Sequence, residues 1–310
     1  GNIIYMAIRR GPMAVPESAT DVFAIDTRGG TSPSPPELTS GFVTDFLIYP
    51  NNTETTNDKR VIDRFRGDRW LYADKTNAEV TVIGKWDYMD GHGEYSNIDS
   101  NDIGFMWKRA AGFFDMVAMT GTSSSSSHTV NHNLTVPPEM VWIKRRDGTS
   151  SWNVYHNDGS TERTAYLEST LQGFSNSRLD SSGATSIVVS GGVFDAGATY
   201  IMYLFATLPG ISKVGSYTGN GSSQTINCGF SSGARFILIK RTDSTGNWYV
   251  WNTTRGIVSG NDPYLLLNST AAEVTSNDSV DPANSGFIVN QISATNVNVS
   301  SANYIFYAIA

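Results

Sequence analysis

The amino-acid sequence predicts an all-β protein built from three tandem β-sandwich repeats of roughly 100 residues each. The strand-like sequence MVWIKRRD at residues 140–147 returns as FILIKRTD at residues 236–243. A weaker copy, FLIY, surrounds Ile48, which we align with Ile143 and Ile239. Short β-branched and aromatic runs are separated throughout by Gly, Ser, Asn, Asp and Thr, which favour turns. No window shows helical periodicity over more than about two turns.

Two further markers recur in step with this strand and set the boundaries of the repeats. An aromatic strand closes each repeat, at residues 103–108, 200–205 and 304–309, and residues 70–80 match residues 264–274. Because residues 1–8 resemble a closing strand, we expect the chain to be the C-terminal part of a longer protein or a processed product. The predicted parts are the closing strand of a preceding unit (1–8), a divergent first repeat (9–108), a second repeat (109–205) and a third repeat (206–310).

Composition and charge exclude several classes of function. The net charge is −7 and the 22 basic residues are scattered along the chain, so no basic surface is available to neutralise a nucleic-acid backbone. No apolar run approaches the roughly 18 residues that a membrane-spanning helix needs. The single cysteine, Cys228, is interpreted as a small buried hydrophobic residue, and no disulfide within the chain is possible. We therefore expect no nucleic-acid partner and no membrane insertion.

No motif in the sequence predicts catalysis, a cofactor or a metal site. His128 and His132 are four residues apart, but in a strand this spacing separates them by about 13 Å. No phosphate-binding loop, dinucleotide-binding glycine motif or Gly-x-Ser-x-Gly motif is present. Residues 66–68 spell the cell-adhesion tripeptide Arg-Gly-Asp, yet a second Arg-Gly pair at residues 255–256 favours a turn that the repeats share. We predict that the protein is not an enzyme.

A specific function is expected where one repeat departs from its siblings. The segment at residues 84–102 has no counterpart in the second and third repeats. It combines aromatic rings with acidic side chains, a composition suited to stacking on a sugar ring or to binding a hard cation such as calcium. Its acidic residues do not follow the spacing of an EF-hand loop, and a solvated loop that packs its own aromatic residues is the alternative. The candidate ligand-binding residues are Trp86, Asp87, Tyr88, Asp90, Glu94 and Tyr95.

Other repeated residues are interpreted as structural. Trp152 and Trp248 occupy the same place in their repeats and are expected to pack in the core or at its rim, with a sugar-binding platform as the alternative. The Lys-Arg pairs at residues 144–145 and 240–241 are interpreted as strand ends held in solvent. Binding of an anion is the alternative for these pairs.

These motifs resemble the repeated β-domains of structural proteins from tailed bacteriophages, particularly marine ones, which include tail and tail-fibre proteins. The resemblance lies in the strand that contains Trp142, the later tryptophan at position 152 or 248, the Arg-Gly turn at residues 255–256 and the closing strand. It extends over the second and third repeats and part of the first. It implies a virion component, in the extracellular particle, that carries no catalytic residues.

The residues and the resemblance together lead to one expected function and two alternatives. We expect a tail fibre or tail-tip appendage that attaches to a bacterial surface glycan. Its expected partners are other virion proteins and further copies of itself, with a homotrimer as the form that fibres suggest. The alternatives are the carbohydrate-binding repeats of a secreted polysaccharide-degrading enzyme, and a coat, sheath or filament subunit without a ligand.

Overall fold

The fold is all-β, as the sequence predicts. The structure, a computed structural model, describes residues 13–28, 36–50, 58–81, 84–94, 102–174 and 178–310. For residues 84, 85 and 94 it describes the backbone alone. Within these ranges the chain forms 25 β-strands, a short 3₁₀ turn at Ala19–Asp21 and no α-helix. None of this part of the chain forms a helix with the length and apolar character that crossing a membrane requires.

The first nine strands form two antiparallel sheets. Six strands make the first large sheet, in the order β1-β9-β3-β4-β5-β6, and three make the first small sheet, in the order β2-β8-β7. Their bounds are β1 (Phe23–Thr27), β2 (Leu38–Thr39), β3 (Phe46–Tyr49), β4 (Arg60–Asp63), β5 (Arg69–Tyr72), β6 (Val80–Thr81), β7 (Gly84–Lys85), β8 (Gly91–Glu94) and β9 (Ile103–Trp107).

The next eight strands repeat this plan. The second large sheet has the order β10-β17-β12-β13-β14, and the second small sheet has the order β11-β16-β15. The bounds are β10 (Phe114–Thr120), β11 (His128–Asn131), β12 (Met140–Arg145), β13 (Asn153–Asn157), β14 (Glu162–Tyr166), β15 (Leu179–Ser182), β16 (Ser186–Val189) and β17 (Thr199–Phe205).

The last eight strands follow the same order. The third large sheet is β18-β25-β20-β21-β22, and the third small sheet is β19-β24-β23. The bounds are β18 (Ser212–Thr218), β19 (Gln224–Asn227), β20 (Phe236–Arg241), β21 (Trp248–Asn252), β22 (Tyr264–Leu266), β23 (Val280–Ala283), β24 (Gly286–Val289) and β25 (Asn303–Ile309). Each sheet takes its strands from one predicted repeat, although the repeat boundaries themselves stay predictions.

Each small sheet covers one face of its large sheet. In the second pair, Ile187 and Val189 of the small sheet pack with Val141 and Ile143 of the large sheet, and all four are buried. In the first pair, Leu38 of β2 belongs to a buried cluster contributed largely by the first large sheet. This two-layer packing is the sandwich arrangement that the alternating strands and turns predict.

The other face of each large sheet is buried as well. Six of the seven residues of β17 and six of the seven residues of β25 are buried. A strand with one solvated face alternates apolar and polar residues, whereas a strand buried on both faces reads as a continuous apolar run. Burial on both faces therefore explains why the closing strands are apolar almost throughout.

The inner faces of the three large sheets meet in one aromatic core, which we call the shared core. The buried residues of this cluster come from all three sheets. Each sheet contacts the other two through rings, and such ring pairs contribute roughly 0.5–1.5 kcal/mol each beyond the area that they bury. The pairs, with distances between ring centroids, are Phe46 and Tyr203 at 4.4 Å, Phe205 and Tyr307 at 5.1 Å, and Phe23 and Phe236 at 5.4 Å.

A side chain at the start of β4, β13 and β21 ties each large sheet to a neighbouring one. The contacts join the second sheet to the first, the third to the second, and the first to the third. The three sheets therefore form a closed ring within one chain. The hydrogen bonds are Trp152 Nε1 to Tyr72 O at 2.8 Å, Trp248 Nε1 to Tyr166 O at 2.9 Å, and Lys59 Nζ to Ala271 O at 3.4 Å.

The prediction that both members of the Lys-Arg pairs lie in solvent is wrong for the lysines. Lys144 and Lys240 are fully buried, and burial lowers the pKa of each to about 8. The physical reason is the closed ring, because the neighbouring sheet covers the strand end and offers backbone oxygens to the ammonium group. Lys144 Nζ donates to Thr76 O at 2.8 Å, and Lys240 Nζ donates to Ser169 O at 3.4 Å.

The strand pairing also corrects the alignment of the first repeat by one residue. Phe46 and Met140 occupy the same place against their closing strands, so Ile48 corresponds to Trp142 and not to Ile143. The sequence alignment paired Ile48 with Ile143 because both residues are isoleucine. A slip of one residue exchanges the two faces of a strand, and the corrected register places Ile48 and Trp142 together in the shared core.

Candidate functional site

The predicted binding segment forms a β-hairpin at residues 84–94, which we call the candidate hairpin. Strands β7 and β8 pair antiparallel, with Gly84 opposite Glu94 and Lys85 opposite Gly93. Strand β8 also pairs with β2, which places Leu38 opposite His92. The hairpin is therefore part of the first small sheet, where β8 and β7 take the places that β16 and β15 hold in the second small sheet. The expectation that this segment has no counterpart is wrong for the fold of residues 84–94, because strand pairing preserves the hairpin where the sequence does not match.

Two glycines allow the strands of this sheet to approach each other closely. A Cβ atom at Gly91 would lie 2.1 Å from Leu38 O. A Cβ atom at Gly93 would lie 2.5 Å from Cε2 of the Tyr88 ring. Because the atom near Gly91 is a backbone oxygen, that position requires glycine, whereas a side chain at Gly93 would have to displace the Tyr88 ring.

Trp86 anchors the candidate hairpin to the first sandwich. Its side chain is half-buried and packs against the local core, while Nε1 donates to Gly67 O at 3.1 Å. The guanidinium carbon of Arg64 lies 5.2 Å from the centre of the indole ring, and Arg64 Nη1 donates to Trp86 O at 2.8 Å. The His92 ring approaches edge-on at 4.6 Å. These contacts occupy much of the ring surface that a sugar would stack on.

The tip of the hairpin presents side chains to solvent. Asp87, Met89 and Asp90 are exposed, and Tyr88 is half-buried. The backbone oxygen of Asp90 accepts hydrogen bonds from Ser40 N at 2.7 Å and from Gly41 N, which fixes the position from which its carboxylate projects. The structure thus places Asp87, Tyr88 and Asp90 together at the tip, and their role in binding stays a prediction. Glu94 is described by its backbone alone, and Tyr95 lies outside the described residues.

His92 is the buried titratable group of the hairpin. Burial and the nearby Arg64 guanidinium lower its pKa to about 3, so the ring is neutral at physiological pH. Neither ring nitrogen has a hydrogen-bond partner among the described residues. We interpret the ring as a packing surface for Trp86.

The Arg-Gly-Asp tripeptide is a turn whose arginine is not accessible. Arg66 is buried, and its Nε lies 2.5 Å from Asp63 Oδ2. Its Nη2 donates to Val61 O at 2.8 Å and to Tyr203 Oη at 3.2 Å, which links the first and second large sheets. Asp68 is exposed. A buried, paired arginine is inaccessible to a partner, so this geometry favours the structural interpretation.

The described residues contain no group of three or more His, Cys, Asp and Glu side chains placed to hold a metal ion. Nε2 of His128 accepts hydrogen bonds from Thr122 N at 3.1 Å and from Ser123 N at 3.2 Å. His132 Nε2 lies 3.1 Å from Gly183 O. Both rings therefore hold loops of the second sandwich in place.

The sequence analysis missed a polar junction between the second and third large sheets. The carboxylate of Asp158 accepts hydrogen bonds from Ser216 Oγ at 2.6 Å, Ser160 Oγ at 2.8 Å and Thr161 N at 2.7 Å. Burial raises the pKa of Asp158, but the hydrogen bonds from Ser216 and Ser160 outweigh it and lower the pKa to about 2. The contact crosses 58 residues of chain, and no local pattern could have revealed it.

The sheets and the shared core define an all-β protein in which three antiparallel β-sandwiches form a closed ring. The candidate hairpin lies in the first of these sandwiches. The chain belongs to the family that carries a domain of unknown function, DUF7483, which matches residues 82–310. This range includes the candidate hairpin and the whole of the second and third large sheets. A comparison with curated proteins found no match.

Proposed function

We propose that the chain is a non-enzymatic structural protein of a tailed-phage virion, a tail fibre or tail-tip appendage that attaches to a bacterial surface glycan. The observation that supports this proposal most is the closed ring of three large sheets around one shared core. Trimeric fibres assemble three chains around an axis. Here one chain places three similar sheets around one core, which is an analogous arrangement. Such a ring suits a rigid part of an appendage.

The candidate hairpin supports an attachment role for the same protein. Its exposed side chains stand on a backbone that neighbouring strands fix through hydrogen bonds. Variable loops on a rigid β-scaffold are a common place for recognition residues. Acidic and aromatic side chains, here Asp87, Tyr88 and Asp90, can bind the hydroxyl groups and the apolar faces of sugars.

Self-association belongs to the proposal as well. Oligomers of identical chains are usually symmetric, and we expect copies of the ring to assemble, with the homotrimer as the predicted form. Light scattering at micromolar concentration measures the mass directly. A stable monomer under these conditions would contradict this part of the proposal.

Binding of the purified chain to intact bacteria and to their extracted surface glycans tests the proposed function. We expect binding by the wild-type chain and a loss of at least tenfold in affinity for Asp87→Ala combined with Asp90→Ala. Both side chains are exposed, so these changes leave the fold intact. Trp86→Ala is expected to lose binding too, but through loss of the hairpin's anchor, which circular dichroism and the unfolding midpoint would reveal.

Asp68→Ala is the matched control, because it removes an exposed carboxylate of the same repeat outside the hairpin. If the control loses binding as strongly as the double variant, the effect is one of net charge and the hairpin is not the attachment site. If the wild-type chain binds neither cells nor glycans, the coat, sheath or filament interpretation replaces attachment.

A further inference from the structure

A polar cavity of about 270 Å³ lies where the second and third large sheets meet. Its walls come from the segment around β14 on one side and from β18 and β25 on the other. The volume is slightly below the roughly 300–1,000 Å³ of sites for drug-sized ligands, a size suited to a single sugar residue. The residues used below are Ser160, Thr161, Arg163, Ser216, Tyr217 and Asn303.

One wall presents hydrogen-bond acceptors that are already oriented. Ser216 Oγ and Ser160 Oγ both donate their protons to the carboxylate of Asp158. A hydroxyl group that has donated its one proton can still accept through its lone pairs. Ser216 Oγ also lies 3.0 Å from Thr161 Oγ1. The wall is therefore prepared to accept hydrogen bonds from the hydroxyl groups of a ligand.

The same cavity provides donors. Arg163 Nη1 donates to Glu162 O at 2.7 Å, and a guanidinium group carries five N–H donors in all, so the side chain can donate to a ligand oxygen as well. The amide oxygen of Asn303 lies 3.3 Å from Thr218 Oγ1, and its amide nitrogen supplies further donors. Donors and acceptors side by side match the hydroxyl groups of a polyol.

Two aromatic rings supply the apolar part of the wall. Tyr217 stacks on Tyr304 at 4.8 Å with 13° between the ring planes. Their hydroxyl groups bond elsewhere, Tyr217 Oη to Val297 O and Tyr304 Oη to Asn296 O. Tyr304 is buried beneath this stack, so the half-buried Tyr217 ring is the apolar surface on offer, and aromatic rings pack well against the C–H face of a sugar.

The charges around the cavity select a neutral ligand. Asp158 is ionised and lies behind the hydroxyl wall, while Arg163 supplies one positive charge and Glu162 is exposed beside it. The surroundings therefore carry no excess of positive charge. Arg163 is the one cation among the residues that line the cavity, and a carboxylate or phosphate on the ligand would be repelled by Asp158 behind the wall.

The equivalent places at the junction of the first and second large sheets lack this chemistry. By strand register, Ser216 corresponds to Ala118. His156 and Asp63 are equivalent, because they pair with the equivalent residues Met140 and Phe46. Counting two residues onward from each, Asp158 corresponds to Phe65. The junction of the first and second large sheets therefore forms without this polar chemistry, so the ring does not require it at every junction.

We propose that this junction cavity is a second sugar site, which binds one neutral hexose residue. The proposal deepens the proposed attachment function and rests on it for the source of the sugar, a bacterial surface glycan. The site is separate from the candidate hairpin, which belongs to the first small sheet.

Saturation-transfer NMR on the full chain tests the proposal, with the methyl glycosides of glucose, galactose and mannose as probes and glucuronate as the charged comparison. We expect transfer to at least one neutral hexose, weaker transfer to glucuronate, and a loss of at least tenfold in affinity for Ser216→Ala. Alanine is the residue at the equivalent position 118, so this variant is expected to fold, and its unfolding midpoint checks that. Asp68→Ala, an exposed position outside both the cavity and the hairpin, is the control that keeps the affinity.

No transfer to any of the three hexosides overturns the proposal, as does transfer that Ser216→Ala leaves unchanged. The outcome also separates this proposal from the attachment function. Hexose binding that depends on Ser216, in a chain that binds no bacterial surface, upholds the cavity and removes the attachment role. Binding to bacteria that Ser216→Ala does not weaken, without hexose transfer, upholds attachment and removes the cavity.

Discussion

The indole nitrogen of Trp152 lies 2.8 Å from the backbone oxygen of Tyr72, 80 residues earlier in the chain and in a different sheet. Trp248 repeats the contact with Tyr166, 82 residues earlier. Both indoles are fully buried. Each is thus a bond between sheets as well as a packing residue.

Replacing Trp152 by phenylalanine is expected to lower the free energy of unfolding by about 1–3 kcal/mol, because Tyr72 O would be left without its donor in a buried place. The same change at Trp86, whose nitrogen bonds Gly67 O at the half-buried hairpin, is the matched control and is expected to cost under about 1 kcal/mol. Urea unfolding of the two variants measures both values. Equal losses in the free energy of unfolding would show that the hydrogen bond between sheets contributes no more to stability than the bond at the hairpin.

The buried lysines predict a stability that rises with pH above about 8. Burial lowers the pKa of Lys144 and Lys240 from the ordinary lysine value of 10.5 to about 8. Between these values the unfolded chain binds more protons than the folded chain, so raising the pH favours folding. We expect Lys240→Met to remove part of this rise, on the order of 1 kcal/mol per pH unit at most.

Comparing wild type and Lys240→Met between pH 7.5 and 9 isolates this effect, since Cys228 and the tyrosines are present in both proteins and contribute equally to the two slopes. Lys213→Met is the control, because Lys213 is half-exposed and its removal is expected to leave the slope unchanged. A wild-type slope no steeper than that of Lys240→Met would contradict the prediction.

Asp262 is expected to produce the opposite dependence on pH. Its pKa is raised to about 7, mainly by burial and in part by the nearby Asp281 and Asp278. Hydrogen bonds from Val258 N and Val280 N oppose this shift. The folded chain therefore holds a proton that the unfolded chain releases near the ordinary aspartate pKa of 3.8. The stability that this group contributes falls as the pH rises from about 4 to 7. Asp262→Asn mimics the protonated group, and its free energy of unfolding should exceed that of wild type by about 1–2 kcal/mol at pH 8. Thermal unfolding at pH 4.5 and pH 8 checks this, and a difference that does not grow with pH would refute it.

The Arg-Gly-Asp turn yields a prediction about stability instead of adhesion. Arg66→Met leaves Asp63 as an uncompensated buried charge and is expected to cost about 3–5 kcal/mol. Asp68→Ala, two residues away and exposed, should change stability by no more than about 0.5 kcal/mol. Denaturant unfolding of both variants provides the comparison. Similar small losses for both would place Arg66 outside the interface between the sheets.

The strands could be predicted from the sequence because their composition and turns are local properties. The burial of Lys144 could not, since it depends on the sheet that covers the strand end. In hindsight the alternation of a strand contains a clue: Lys144 lies on the same face as Trp142, which enters the shared core, whereas Arg145 lies on the face of Ile143. Only the knowledge that both faces are covered turns this alternation into a prediction.

The candidate hairpin also combines features that the local sequence predicts with features that depend on distant contacts. Its unusual composition could be predicted, because residues 84–94 match nothing in the sequences of the other repeats. Its place in the fold could not, since β8 and β7 take the places that β16 and β15 hold in the second small sheet. The anchoring role of Trp86 depends on Gly67 and Arg64, some 20 residues earlier in the chain, and composition cannot reveal such contacts. The junction at Asp158 depends on Ser216, which belongs to another repeat altogether.

The contact between Lys59 and Ala271 restricts how this sequence can diverge by recombination. A repeat transferred from a related gene would have to match its new neighbours on both sides, because each large sheet bonds to the other two. Exchange of one repeat alone therefore breaks two sets of contacts, whereas exchange of all three, or of an outer loop such as residues 84–94, breaks none of them. We expect natural variants to mix at the hairpin and to inherit the three large sheets as one block.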